Sequence, residues 1–280
     1  MLNPRAGENF VDATVGGGGH SRALLERTSP SGRLLGLDQD QRALNAAKKN
    51  LSDFASRVIL ARGNFKDLAV IATEQAPGIQ FDGLLLDLGL SSDQLAGGRG
   101  LSFQIDEPLD MRTDTTLEIS AADLINTAPA AELEAIFRRY GQERWARAIA
   151  EHIVKRRSTA PITTTAQLAE LITSVYCSKG SHARHPHPAT RVFQALRIAV
   201  NHELENLKIV LNQAASVLKP GARLAVISFH SLEDRIVKEF FKAHPDAWEI
   251  VNKKPLIADV EELKNNPRAR SAKLRVALKK

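Results

Sequence analysis

Residues 10–21, Phe-Val-Asp-Ala-Thr-Val-Gly-Gly-Gly-Gly-His-Ser, constrain the fold of this chain more than any other stretch. Phe10 to Val15 reads as a short buried strand. It enters four consecutive glycines, and a helix is expected to begin near Ser21. Glycine lacks a Cβ, so its backbone can turn sharply and lie close against a ligand. The turn also delivers free backbone N–H groups at a helix start, which suits the polar part of a nucleotide-like molecule. A second strand, Arg33 to Leu37, ends at Asp38, about 20 residues after the glycines, where an acid can take ribose hydroxyls. Strand, glycine loop, helix, strand and acid together describe half of a nucleoside-cofactor site. The plain alternative is a loop used only for tight packing, with Asp38 a turn acid. The dinucleotide pattern G-x-G-x-x-G is incomplete, because Ser21 stands where the third glycine belongs. That weakens a nicotinamide cofactor and leaves S-adenosyl-L-methionine as the better expectation.

The rest of the first third alternates in the same way. Helices are expected over Ser21 to Thr28 and Asp40 to Leu51, and strands over Arg57 to Ala61 and Gly83 to Leu88. The last of these is apolar throughout, as in a strand buried on both faces. The alternation predicts an α/β fold with a mainly parallel sheet and ligand at the carboxyl ends of its strands. After Gln94 the pattern changes. Residues 97–115 are irregular, and helices are expected over Ala130 to Tyr140, Glu143 to Arg157 and Thr165 to Tyr176. Pro161 and Thr163 to Thr165 give stop and cap signals. Leu133, Ile136, Phe137 and Tyr140 share one helical face. The sheet pattern then returns with a long helix from Ala189 to Leu218, ended by Lys219-Pro220-Gly221. Strands are expected at Arg223 to Phe229, Trp248 to Asn252 and Lys273 to Leu278. The chain is therefore divided into 1–96, a helical insertion over 97–195, and 196–280.

Composition narrows the setting. The single cysteine, Cys177, excludes an internal disulfide and fits a reducing compartment. No run approaches the roughly 18 apolar residues of a membrane span, and a cytoplasmic location without membrane association is expected. The net charge of +6 is compatible with nucleic acid. Seven Lys or Arg residues and no acid lie between Lys264 and Lys280, where Leu274, Val276 and Leu278 alternate. This reads as a strand carrying Lys273 and Arg275 toward phosphates, or as a solvated tail. The segment holding Cys177, His182, His185 and His187 lacks the paired spacing of a zinc site, so no metal is expected.

Three further positions attract chemistry. Asp87 closes the fourth strand, where it is a catalytic candidate or a turn acid. The Asp-Pro-Pro-Tyr-like motif common in enzymes that methylate exocyclic amines of DNA bases is absent here, so the target amine cannot be read from that position alone. Phe65 is placed to lie against an adenine ring, or is an ordinary core residue. His230 is an acid–base group, an RNA contact or a structural histidine.

Seven blocks in order carry a resemblance over nearly the whole chain. They are Asp12-Ala-Thr-Val-Gly-Gly-Gly-Gly-His-Ser21, Leu84-Leu-Leu-Asp-Leu-Gly-Leu-Ser-Ser92 with Gln94, and Pro108-Leu-Asp-Met-Arg112. Next come Tyr140-Gly-Gln-Glu-Arg144 and His187-Pro-Ala-Thr-Arg191 with Phe193-Gln-Ala-Leu-Arg197. The last are Ile227-Ser-Phe-His-Ser-Leu-Glu-Asp-Arg-Ile-Val-Lys238 and Asn266-Pro-Arg-Ala-Arg-Ser271. The chain resembles the bacterial S-adenosylmethionine-dependent methyltransferases of 16S ribosomal RNA that modify the N4 amine of a decoding-region cytidine. The resemblance implies a class I, Rossmann-like methyltransferase sheet with an inserted helical domain that helps hold RNA. It implies cofactor contacts at Gly18, Gly19, His20, Asp38, Phe65, Asp87 and Gln94. The partner implied is 16S rRNA in the small ribosomal subunit. Asp87 is the candidate for orienting the amine, with Asp110 and His230 behind it. Family members usually carry a further segment with a His-x-Pro-Val-Leu-like pattern before the first strand. Here the sequence opens at Met1-Leu-Asn-Pro, so either the start codon is misplaced or an element beside the cofactor cleft is missing. Two rival expectations stand beside this one: a methyltransferase of another nucleic acid such as DNA, and a non-catalytic RNA-binding assembly factor that keeps the fold.

Overall fold

The computed structural model describes residues 1–90, 95, 98–180 and 187–280. It divides the chain into two compact units, one of residues 1–89 with 204–280 and one of residues 90–203.

The first unit is built on a single mixed sheet. Its strands are β1 (Phe10–Asp12), β2 (Leu34–Asp38), β3 (Val58–Arg62), β4 (Phe81–Asp87), β5 (Leu218–Ser228), β6 (Trp248–Ile250) and β7 (Lys273–Lys279). Among the described residues they form seven strands in the order β3-β2-β1-β4-β5-β7-β6. Strands β1 to β5 pair in parallel, and β7 runs antiparallel to both β5 and β6. Helices α1 (Gly19–Arg27), α2 (Gln41–Asn50) and α3 (Leu68–Gln75) connect the first four strands. The order reverses at β1, which has β2 on one side and β4 on the other. A crevice opens outside the carboxyl ends of the strands at such a point, because successive connections leave in opposite directions. Asp12, Asp38 and Asp87 end β1, β2 and β4. All three fall where that crevice requires polar groups.

The parallel strands are apolar for a physical reason. Leu84 and Leu86 join one apolar cluster and Leu85 another, against which Leu2 packs, so all three side chains are buried and each contributes roughly 1.5–3 kcal/mol. Strand β1 stops at Asp12, three residues before the expected end at Val15. The Asp12 carboxylate accepts the Thr14 amide at 3.2 Å and turns the chain out of the sheet.

In the second unit the irregular stretch after Gly98 leads to α4 (Ala121–Thr127), α5 (Ala130–Gly141), α6 (Ala146–Arg157), α7 (Thr165–Ser178) and α8 (Ala189–Asn201). Thr164 caps α7 through the Gln167 amide, with Gln167 reaching back in a capping box, as the threonine run suggested. Leu133 and Phe137 are fully buried, and Ile136 and Tyr140 pack against the same core. Asn201 at the end of α8 holds the irregular stretch: its side chain accepts from the Thr113 amide and hydroxyl and donates to the Met111 carbonyl.

The expected single helix over Ala189 to Leu218 is two helices, α8 and α9 (Glu203–Val217). His202 sits between them at φ 51°, in the left-handed region, and its amide closes α8 on the Ala199 and Ile198 carbonyls. Apolar spacing continues on both sides of His202, so periodicity could not reveal the break. The observed division at 89/90 and 203/204 differs from the 96/97 and 195/196 read from the pattern. Two further helices, α10 (Ser231–Ala243) and α11 (Val260–Asn265), belong to the first unit.

Gly83 marks a close approach inside the sheet, since a Cβ there would overlap the Phe10 ring. Gly83→Ala is expected to lower stability by about 1–3 kcal/mol, read from the urea midpoint at unchanged slope.

Candidate functional site

The glycine turn is held from below. Gly18 caps α1 in the left-handed conformation at φ 87°, and no side chain caps that helix. The first amides of α1 are therefore free of side-chain partners, with the positive end of the helix dipole behind them. A Cβ added at Gly19 would meet no atom within 4 Å, so the space over the turn is open. Gly16, at φ 50°, donates its amide to Asp38 Oδ2 at 3.0 Å. Asp38 Oδ1 accepts from the Asp40 amide at 2.9 Å. Both oxygens keep lone pairs for further donors, as two ribose hydroxyls would supply. Burial raises the Asp38 carboxyl above its ordinary value, against the pull of these backbone hydrogen bonds.

Asp12 lies deeper. It is 1% exposed and accepts the Ser21 hydroxyl at 2.7 Å. Burial lifts its carboxyl to about 6, with the Ser21 bond and the nearby His20 pulling the other way. His20 places Nε2 3.3 Å from Asp87 Oδ2, and that hydrogen bond raises the imidazole above its usual range. The Asp87 amide in turn takes the Thr14 hydroxyl oxygen as acceptor at 2.7 Å. The other carboxylate oxygen, Asp87 Oδ1, is buried with no hydrogen-bond partner. An orphaned acceptor of this kind costs free energy unless a ligand meets it. Three acids, an uncapped helix start and an unmatched carboxylate oxygen fit a nucleoside that carries a cationic centre.

The structure thus brings Gly18, Gly19, His20, Asp38 and Asp87 to the carboxyl ends of adjacent strands in one unit. Phe65 opens a 3-10 turn after β3, capped by the Asn64 side chain, and lies half-buried against the sheet core. Asn64 Nδ2 also donates to Gln39 Oε1 at 3.1 Å, fixing that turn to the end of β2. His230 caps α10: its Nδ1 accepts the Glu233 amide, and Glu233 accepts the Phe229 and His230 amides. Its Nε2 stands 3.2 Å from Glu233 Oε1 and lacks hydrogen-bond geometry. Asp110 belongs to the second unit, where Oδ1 takes Arg112 Nε at 2.6 Å. Burial pushes its carboxyl up, but the Arg112 hydrogen bonds outweigh it and hold it below the ordinary value. Gln94, His182 and His185 lie outside the described residues. Cys177 is exposed, and His187 stacks on Phe103 with ring centres 4.8 Å apart.

Arg275 does not offer its charge to solvent: it is 6% exposed and engages Asp234 at 2.6 and 3.3 Å, with Lys273 3.7 Å from the same carboxylate. Lys279 likewise donates to the Ala215 and Leu218 carbonyls, so the cations of β7 are engaged with partners within the unit. Asp12 and Ser21 carried no assigned role in the sequence. The available signal was an acid inside an apolar strand directly ahead of the glycines.

A mainly parallel sheet whose β7 inserts antiparallel beside β5, with a glycine turn after β1 and an acid closing β2, defines a class I, Rossmann-like methyltransferase dependent on S-adenosylmethionine. Residues 1–280 match the MraW methylase family, and the chain belongs to it. A ribosomal RNA small subunit methyltransferase H from Syntrophotalea carbinolica is 51% identical, covering 98% of this chain and 92% of its own. Proteins of the same name from Thermomicrobium roseum and Heliobacterium modesticaldum are 48% and 46% identical. The first covers 99% of this chain and 89% of its own length, the second 100% and 95%.

Asp38→Ala is expected to weaken S-adenosylmethionine binding at least about 100-fold by calorimetry, through two lost charged hydrogen bonds. Undiminished affinity would refute the ribose role. Asp12 gives a pH test. Its folded value, about 6, lies above the ordinary 3.8. Its stabilising contribution is therefore complete below about pH 4 and lost as the pH rises through 6. Asp12→Asn should gain on the wild type over that window by on the order of 3 kcal/mol, and the difference should then stay constant. Urea denaturation of both proteins without cofactor, from pH 4 to 8, reads this directly. Parallel curves would contradict it.

Proposed function

We propose that this protein transfers a methyl group from S-adenosylmethionine to the N4 amine of a cytidine in the decoding region of 16S rRNA. It would act in the cytoplasm on the small ribosomal subunit. The observation that carries the reading is the end-to-end match, insertion included, to relatives named ribosomal RNA small subunit methyltransferase H at 46–51% identity. The site chemistry supports it. No helix among the described residues is long and apolar enough to cross a membrane, in keeping with a ribosomal substrate.

A bound S-adenosylmethionine supplies an electrophilic sulfonium methyl group. An exocyclic cytosine amine is a poor nucleophile, because its lone pair is delocalised into the ring. The protein must therefore orient that amine and receive a proton. Asp87 Oδ1, buried and without a partner, is suited to accept one amine hydrogen and direct the lone pair. Asp87 Oδ2 is held by His20, which fixes the carboxylate plane. The Asp12, Asp38 and Asp87 carboxyls make the surroundings favourable for a sulfonium cation. The target base must leave its stack to reach a site at the strand ends.

The test is transfer of labelled methyl to small subunits that lack decoding-site modifications, with nuclease digestion and mass spectrometry to locate the label. N4-methylcytidine is expected. Label in DNA alone, or S-adenosylmethionine bound with no product on any RNA, would reject the reading. Asp87→Asn should lower the single-turnover rate by about 100-fold, and an unchanged rate would remove Asp87 from the chemistry.

A further inference from the structure

A second concavity lies within the first unit, between α10 and the edge of the sheet formed by β6 and β7. Its volume is about 350 Å³, the scale of a single small ligand. Half-buried Ile250 gives the cavity an apolar floor, backed by the almost fully buried Phe241 and Val276, and Lys238, Lys242 and Lys253 stand among the lining residues. No lining side chain is acidic. Lys238, Phe241 and Lys242 come to one side of α10 by their spacing of three and four residues. Among the described residues none of these three lysines forms an ion pair within 4 Å.

The walls are fixed before any ligand arrives. Asn252 accepts the Val276 amide at 2.7 Å and donates to the Leu274 and Lys254 carbonyls, which ties the turn after β6 to β7. Arg275 lines the cavity, its fork held by Asp234, with its last donor toward the Lys253 carbonyl. Phe241 is backed by Trp248 and Phe240, with ring centres 5.9 and 5.8 Å away. Asp234, one turn before Lys238 on α10, is paired with Arg275 and Lys273, and Lys238 also lies close enough to lower its carboxyl. The lining, with three lysines and Arg275 and no acid of its own, therefore keeps a net positive charge.

An apolar platform ringed by cations is the chemistry that takes an unstacked nucleotide, with the base on the floor and the phosphates on the ammonium groups. We propose that this cavity holds an unpaired nucleotide of the RNA substrate, away from the methyl-transfer site at the strand ends. The inference rests on the RNA reading above for its source of nucleotide. It also replaces the β7 cations, which are engaged internally, with Lys238, Lys242 and Lys253 as the phosphate contacts of this unit.

Binding of a fluorescein-labelled 12-residue oligouridylate, followed by anisotropy between 50 and 300 mM salt, tests this. The variant Lys238→Ala/Lys242→Ala/Lys253→Ala should bind at least about 10-fold more weakly, and its salt slope should fall by about 2, as three contacts to a single strand predict. Circular dichroism and S-adenosylmethionine affinity should stay unchanged. The control Lys48→Ala/Lys49→Ala/Lys208→Ala removes equal charge from exposed positions elsewhere in the unit. Equal loss in both variants would reduce the effect to net charge and overturn the proposal, as would no loss in the first. Ile250→Ser should weaken the oligonucleotide several-fold with its salt slope intact, and an unchanged affinity would overturn the role of the floor. Uridine monophosphate that displaces the oligonucleotide at equal concentration would overturn the RNA assignment in favour of a free nucleotide. Methyl transfer by the wild type is measured in parallel. Failure of that activity with lysine-dependent RNA binding intact would sink the functional reading alone. Activity with RNA binding indifferent to the lysines would sink the cavity alone.

Discussion

The hydrogen bond from the Gly16 amide to Asp38 is the constraint on which the site depends. It joins the glycine turn after β1 to the carboxyl end of β2, and so sets where the start of α1 points. Gly16 can donate there because it adopts a positive φ that a side chain would disfavour. Once the turn is tied down, His20 reaches Asp87 and Ser21 reaches Asp12. Three strand ends, neighbours in the sheet, are thereby cross-linked by one backbone amide and two side chains of a single turn.

That arrangement concentrates negative charge where water is scarce. Two of the three acids are raised by burial, Asp12 most clearly. Isolated burial of a carboxylate is costly, and proteins normally relieve it by pairing or protonation. Here relief is partial: hydroxyl and amide donors cover Asp12 and Asp38, His20 covers half of Asp87, and one oxygen of Asp87 remains unmatched. The free energy withheld from the unliganded fold becomes available to a ligand that carries positive charge and hydrogen-bond donors. Stability and binding are linked in this site through the same groups.

The second unit is organised by different physics. Its core is a continuous apolar cluster drawn from α4 to α8 and from the irregular stretch that precedes them. Polar groups buried with it find local partners, as where Glu143 accepts from the Tyr176 hydroxyl and the Trp145 amide and Asn201 uses both ends of its amide, whereas the Trp145 indole N–H is buried without one. Pairing of Asp110 with Arg112 belongs to the same economy of local partners. Such a unit can be inserted between β4 and α9 because its core does not need the sheet.

The sequence by itself determined the alternation of apolar strands and helices, the glycine turn, the acid after β2 and the helical character of the insertion. Those features rest on local physics: spacing of apolar residues, caps such as Thr164, and the unique freedom of glycine. Only the tertiary structure decided that β7 threads between β5 and β6, where Arg275 meets Asp234 and the lysines of α10 and of the turn after β6 line one cavity. It also decided the break at His202, where one left-handed residue outweighs an unbroken apolar period. The pairing of His20 with Asp87 and the burial of Asp12 were settled in the same way. Each depends on which distant segments the sheet order brings side by side, and the spacing of residues along the chain carries no record of that order.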